Sequence, residues 1–369
     1  MKVLPFRQFI LKVHGRCNLA CDYCYVYTRA DQRWRSRPRV MSAAVAERAV
    51  ERIAEHVRAH DLPRVDVVLH GGEPLLAGVA FLEELVRGLR SRVPVPVDVV
   101  VQTNGTLLDR GWLEVLARLR VRVGVSVDGV PEAHDRHRVR PDGRGSWASV
   151  AAGLRLLADE FPEIYGGVLC VVDPAVDAVA TYEFLVGLGA PVIDFLLPHG
   201  DWCSPPAGMG VGGTPYAEWL IAVFDRWYSD PRCAVRVFEE ILALVLGGRS
   251  RVEGWGNTPP AHVVVEVDGD IEVSDIVASG SPEASATGLN VGRDSFDDAL
   301  RVPGVAAARG GPCAECLACP VVAVCGGGLR AHRLHPDGTF DHPSVYCPDL
   351  YRLVGHVRDR VAGDLARLR

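Results

Sequence analysis

Six short β-rich runs alternate with amphipathic helical stretches through the first two hundred residues of this chain. The runs are QFILKVH (8–14), RVDVVLH (64–70), VDVVVQT (97–103), VRVGVSV (121–127), GVLCVVD (167–173) and PVIDFLL (191–197). Helical periodicity falls near 42–60, 78–92, 109–119, 146–160 and 175–188, with Ser42 placed to cap the first. Parallel strands need crossover connections, so the alternation predicts an α/β fold with a parallel sheet, either open or curved into a barrel. Polar, glycine-rich segments follow three strands: HGGEP (70–74), QTNGT (102–106) and VSVDG (125–129). Ligands in such folds bind at the carboxyl edge, so the chemistry is expected there.

Beyond residue 200 the pattern changes. DWCSPPAGMGVGG (201–213) reads as a loop, helices are expected over 214–229 and 235–247, and HVVVEVDGDIEV (262–273) reads as a hairpin turning at Asp268-Gly269. A final helix is expected over 349–367. The expected division is a barrel (1–212), a helical linker (213–257) and a C-terminal domain (258–369).

The 369 residues carry 40 basic and 46 acidic groups, a net charge of −6, and 48% are hydrophobic. This excludes a disordered chain and gives no global attraction to nucleic acid. The apolar start FILKVH is broken by Lys12, His14 and Arg16, and no run is long enough to cross a membrane. The expected location is cytoplasmic, where thiols stay reduced and eleven cysteines point to metal or redox chemistry.

Eight of the eleven cysteines fall in two groups. Cys17, Cys21 and Cys24 form CxxxCxxC directly after the first strand, and Cys313, Cys316, Cys319, Cys325 and Cys347 lie near the far end. Cys170, Cys203 and Cys233 are scattered and read as incidental thiols. Three close thiolates can hold three irons of a cubane and leave the fourth open to a small-molecule chelate. The alternative is zinc, which needs a fourth ligand. His14 is available but sits within a strand and reads as structural.

CxxxCxxC with Tyr23 before its last Cys resembles the radical S-adenosylmethionine superfamily. Gly71-Gly72-Glu73-Pro74 is similar to that superfamily's GGE motif, which implies binding of the methionyl amino group. Asn104, Ser126 and Asp128 at later strand ends, with Leu196 of DFLLPH, correspond to further S-adenosylmethionine contacts, and Arg138 to a partner for the methionyl carboxylate. Asx-Gly turns are the simpler reading of Asn104 and Asp128. The resemblance implies a partial (β/α)6 TIM-like barrel.

CAECLACPVVAVCGGG and the later Cys347 resemble the C-terminal SPASM/twitch iron–sulfur extension of peptide-modifying members. Cys316, Cys319, Cys325 and Cys347 would complete one auxiliary 4Fe-4S cluster, with a zinc ribbon as the alternative. Leu329 and Ser274 stand where two-cluster members carry Cys, so one auxiliary cluster is expected. Cys313 is a spare thiol or an alternative ligand. Asp275 matches the place of a carboxylate that accepts a proton in similar enzymes, or is a surface hairpin residue.

PFRQFILKVHGRCNLACDYCYVY, DFLLPH, CPVVAVCGGGLRAHR and HPSVYC carry a further resemblance, to FxsB-like maturases. This implies a three-residue cyclophane: a 5′-deoxyadenosyl radical takes a Cβ hydrogen from a ribosomally made precursor peptide, and the carbon joins a nearby aromatic ring. An electron donor such as a flavodoxin or ferredoxin is implied. No leader-binding domain is expected before the first strand, so precursor recognition would fall to the barrel rim, the linker or a partner chain. The other readings are a thioether-forming or formylglycine-generating maturase, and a non-enzymatic zinc or iron–sulfur sensor.

Overall fold

The computed structural model describes residues 4–209, 213–250 and 252–368; residues 210–212 of the expected 201–213 loop lie outside them. Ten strands are present among the described residues. They are β1 (Gln8–His14), β2 (Val65–Gly71), β3 (Val97–Thr103), β4 (Arg122–Ser126), β5 (Tyr165–Val171), β6 (Val192–Leu196), β7 (Ala234–Val235), β8 (His262–Val265), β9 (Asp270–Glu272) and β10 (Ala286–Asn290). All six expected N-terminal strands form. So do the helices between them, α1 (Ala43–Ala59), α2 (Val79–Arg92), α3 (Arg110–Arg118), α5 (Trp147–Glu160) and α6 (Ala178–Gly187). The short α4 (Pro131–His137), which opens with Pro131, was not expected from the periodicity.

The chain forms two compact units. The first comprises the chain up to Val127, Pro131–Val168 and Ala261–Ala308, so the residue range expected as the C-terminal domain is divided between the units. In its sheet the strand order is β10-β9-β8-β1-β2-β3-β4. β1 pairs in parallel with both β2 and β8, and β2, β3 and β4 continue in parallel. VDVVLHG and VDVVVQT bury alternate residues, the period-2 signature that made them legible. Phe9, Leu11 and Val13 of β1 are fully buried on one face. Ala49, Val50, Ile53 and Val57 of α1 repeat at helical spacing to form another buried stripe. Ser42 accepts a hydrogen bond from the Val45 N–H at 3.2 Å, a cap of about 1 kcal/mol.

A register shift between Lys12 and His14 ends the β1–β2 ladder. Such bulges bend a strand and re-aim its side chains; here the bend precedes the CxxxCxxC segment.

The second unit comprises Asp128–Val130, residues 169–260 and the chain from Arg309. β6 pairs in parallel with β7. α7 (Pro215–Ser229) and α8 (Arg236–Val245) pack with the Cys347–Arg367 helix. Phe224, Trp227 and Phe238 form an aromatic core between α7 and α8.

Candidate active site

The first three cysteines share one half-buried loop after β1. The Cys24 N–H donates to the Cys21 carbonyl, and Tyr27 and Thr28 donate to the Cys24 carbonyl, which turns the segment tightly. Cys17 Sγ accepts from the Leu19 N–H at 3.4 Å and from Asn104 Nδ2 at 3.5 Å. Backbone N–H groups of Val26 and Tyr27 point at Cys24, whose other neighbour is the Arg138 guanidinium. Burial pushes the Cys17 thiol up to about 11, so metal binding must displace its proton. His14 is structural: its Nδ1 lies 2.8 Å from the Arg16 carbonyl.

Two expected cofactor contacts carry protein hydrogen bonds. Glu73 is fully buried and accepts from the Leu75 N–H (3.0 Å), the Thr103 hydroxyl (2.8 Å) and the Asn104 N–H (2.8 Å). Its carboxylate ties β3 to the GGEP turn. Burial raises it to about 7, and those three donors oppose the rise. Asn104 is likewise engaged: Nδ2 donates to Asn18 Oδ1 at 2.8 Å, and Oδ1 accepts from Thr106. The side chain holds Cys17 in place.

Other expected contacts are placed as follows. Gly71 has φ +144°, and a Cβ there would stand 2.3 Å from the His14 carbonyl oxygen; at Gly72 it would stand 2.0 Å from Tyr27 Oη. Only glycine allows these approaches. Pro74 is buried and begins the 3-10 turn Pro74–Ala77. Arg138 is buried with its guanidinium 5.6 Å from the Tyr23 ring, and Ser126 Oγ accepts from Gln102 at 3.1 Å. In the second unit, Asp128 accepts from the Val171 N–H at 3.2 Å and the Leu196 carbonyl from the Val172 N–H at 2.9 Å.

Asp275 opens α9 (Asp275–Gly280), whose cap is Ser274, accepting from the Val277 N–H. Ser274 thus has a helix-capping role where a cluster ligand would otherwise stand. Asp275 is buried in a pocket of the first unit with Lys12, Tyr25, Tyr27, Trp34 and Glu266, which removes the reading of a surface hairpin residue. Tyr25 Oη donates to it at 2.8 Å, Lys12 Nζ lies 3.6 Å away and His70 Nδ1 3.9 Å. Burial alone would raise this carboxyl; Lys12, His70 and the Tyr25 hydroxyl hold it down to about 2.

Lys12, Tyr25, Glu266 and Arg37 were missed as site residues. Lys12 also pairs with Glu266 at 2.8 Å, and Arg37 bridges Glu266 (2.9 Å) and Glu272 (2.7 Å). These pairs clamp the segment after the third cysteine onto the hairpin. The one sequence signal was a lysine interrupting an apolar strand. Tyr27 Oη, Trp34 Nε1 and His70 Nδ1 are buried without a hydrogen-bond partner among the described residues. Such orphaned groups suit a polar ligand in the pocket.

In the second unit, Cys313, Cys316 and Cys325 are buried and Cys319 and Cys347 half-buried. Cys313 shares a side-chain hydrogen bond with Cys316, and Cys347 lies in the electrostatic reach of Cys313 and Cys319. Cys313 therefore joins the set as the neighbour of one expected ligand. Gly326, Gly327 and Gly328, which follow Cys325, all take left-handed φ (61°, 79°, 70°). Their carbonyls converge on the buried Arg333 guanidinium at 2.8–2.9 Å. That cation sits beside Cys313, Cys316 and Cys325 and offsets thiolate charge.

Among the described residues, no three cysteine sulfurs lie within 4.8 Å of one another. Four thiolates on one zinc, at about 2.3 Å each, would stand roughly 3.8 Å apart. The N–H groups aimed at Cys17 and Cys24 suit an iron–sulfur cluster.

The sequence pattern of the Radical SAM superfamily matches residues 11–184. Over those residues the chain is similar to that superfamily. A cysteine-type anaerobic sulfatase-maturating enzyme of Clostridium perfringens is 28% identical over 277 residues, covering 72% of this chain and 73% of that one. The solved structure of native anSMEcpe with bound AdoMet and Cp18Cys peptide matches with a TM-score of 0.84 at 22% identity, covering 98% of this chain and 99% of that one. Streptococcus suis SuiB bound to precursor peptide SuiA matches with a TM-score of 0.59 at 14% identity, covering 94% and 76%. The fold is the mixed α/β arrangement of the radical SAM partial TIM barrel. The cofactors implied by this similarity are S-adenosylmethionine and a 4Fe-4S cluster. No helix among the described residues is long and apolar enough to cross a membrane.

Proposed function

We propose that this protein is a radical SAM peptide maturase that oxidises a Cys or Ser side chain of a protein substrate at Cβ, the formylglycine-forming reaction. The observation that carries this reading is the buried, ionised Asp275 in a pocket lined by residues flanking the cysteine loop; the sulfatase-maturating relatives support the substrate class. When bound, the cluster and S-adenosylmethionine supply a 5′-deoxyadenosyl radical after one-electron reduction by a donor such as a flavodoxin or ferredoxin.

The chain's own residues do the rest. Arg138 pairs with the methionyl carboxylate, and the backbone at Gly71 and Gly72 lets the amino group approach. With a Ser substrate, the bound cofactors would take up a Cβ hydrogen atom and one electron, and Asp275 Oδ2 would accept the hydroxyl proton. The serine becomes an aldehyde with two hydrogens fewer. Cys316, Cys319, Cys325 and Cys347 hold the auxiliary cluster, and Arg333 moderates its negative charge.

A second reading is the cyclophane crosslink in a ribosomally made precursor. It is favoured by the single auxiliary cysteine set, with Ser274 capping a helix. It is also supported by the fold likeness to SuiB, solved with a precursor peptide. Anaerobic protein with reconstituted clusters, S-adenosylmethionine and reductant should be given a sulfatase-derived Cys or Ser peptide and, separately, the short peptide encoded beside this gene. The first reading predicts a product trapped by an aldehyde-reactive hydrazide. The second predicts a hydrazide-inert peptide lighter by two hydrogens. Deoxyadenosine formed with neither product would overturn both.

A further inference from the structure

We propose that His335, Asp337 and His342 form a divalent-cation site for zinc in the second unit, separate from both cysteine sets. His335 Nδ1, Asp337 Oδ2 and His342 Nε2 lie within 4.8 Å of one another. His342 Nε2 is 2.7 Å from Asp337 Oδ2, and His335 Nδ1 is 3.5 Å from the same oxygen. The imidazoles stack with centroids 4.0 Å apart at 21°.

The independent observation is His335 Nδ1 itself: it is buried without a hydrogen-bond partner among the described residues. It is too far from the carboxylate for a good hydrogen bond, yet faces the same space. Two imidazoles and a carboxylate suit zinc, with water in the fourth position. Asp337 is kept ionised and oriented, since its Oδ1 accepts from the Thr339 N–H and hydroxyl, both at 2.9 Å. The flanking backbone is held too: the Trp202 N–H donates to the Leu334 carbonyl at 3.0 Å and its indole N–H to the Pro343 carbonyl at 2.9 Å.

Another histidine pair shows what this one has in addition. His56 and His60 also share a carboxylate, Asp297. There the His56 Nε2 accepts the Phe6 N–H at 3.0 Å, which leaves its Nδ1 carrying the proton donated to Asp297. That nitrogen must give up its proton to hold a metal, as His342 Nε2 must at Asp337, whereas His335 Nδ1 has no such commitment.

The consequence is mechanical. The 335–342 loop lies in sequence between Arg333, which holds the triple-glycine segment, and Cys347, the last cysteine of the auxiliary set. A zinc there staples the stretch that connects them.

The test is equilibrium dialysis of cluster-loaded protein against buffered zinc, with zinc and iron measured together. About one zinc per chain is expected beyond any held by the His335→Ala/His342→Ala variant, with iron equal in both. Asp337→Asn should weaken zinc binding by tenfold or more. Saturating zinc should raise the melting temperature of the wild type and not of the double variant. Equal zinc in wild type and variant of equal iron content, or no zinc-dependent shift in the wild type, would overturn the proposal. If the double variant misfolds, Asp337→Asn alone decides by the same two readouts.

Discussion

Asp275→Asn is expected to leave S-adenosylmethionine cleavage running while cutting modified peptide by about 10²- to 10⁴-fold, the range of a general base. The side chains are nearly isosteric, and Lys12 keeps its 2.8 Å partner Glu266, so the pocket should survive the change. What is lost is the acceptor that Tyr25 and Lys12 hold ionised. The diagnostic quantity is modified peptide per deoxyadenosine, which should collapse in the variant. If both products fall in parallel, Asp275 is structural. The sign of the pH dependence follows from the same geometry. With its carboxyl held to about 2, Asp275 stays ionised across the working range and contributes no acid limb near neutrality. Lys12→Met removes the leading opposing charge, so protonation begins at higher pH and product formation should decline as pH falls.

Cys17→Ala is the second large effect. It should abolish deoxyadenosine formation and lower iron from about eight to about four per chain, since each cubane holds about four irons. Cys17 is the thiol that Leu19 and Asn104 hold, and Asn104 is in turn locked by Glu73. Removing the sulfur therefore takes away the ligand around which the β3 end is built. Cys316→Ala should lose the other iron complement and still cleave S-adenosylmethionine. Deoxyadenosine from Cys17→Ala, or its loss only in Cys316→Ala, would reverse the assignment of the two cysteine sets.

Much of the fold was legible because its signals are local. β2 and β3 alternate buried and half-buried residues, and Ser42 caps α1 where the spacing placed it. β10 and α4 escaped notice: ATGLN has no clear alternation, and PEAHDRH is short and polar. The grouping of the cysteines was readable from spacing, and their expected ligand sets from the resemblance. The position of Glu73 and Asn104 at strand ends is visible in the sequence, while the hydrogen bonds that engage them are not. Lys12, Arg37 and Glu266 work through ion pairs spanning more than two hundred residues of sequence, and no periodicity reports such a pairing. Cys313 looked spare because its neighbour Cys316 sits one helical turn onward, a contact that only the folded segment creates.

The central claim is that the N-terminal sulfurs present a cubane with one coordination position left for S-adenosylmethionine. Electron paramagnetic resonance of the dithionite-reduced, cluster-loaded protein, recorded with and without S-adenosylmethionine, tests it most directly. The account predicts two reducible clusters, of which one changes its spectrum on addition of S-adenosylmethionine, and that response should be absent in Cys17→Ala. A reduced spectrum that S-adenosylmethionine leaves unaltered would contradict it.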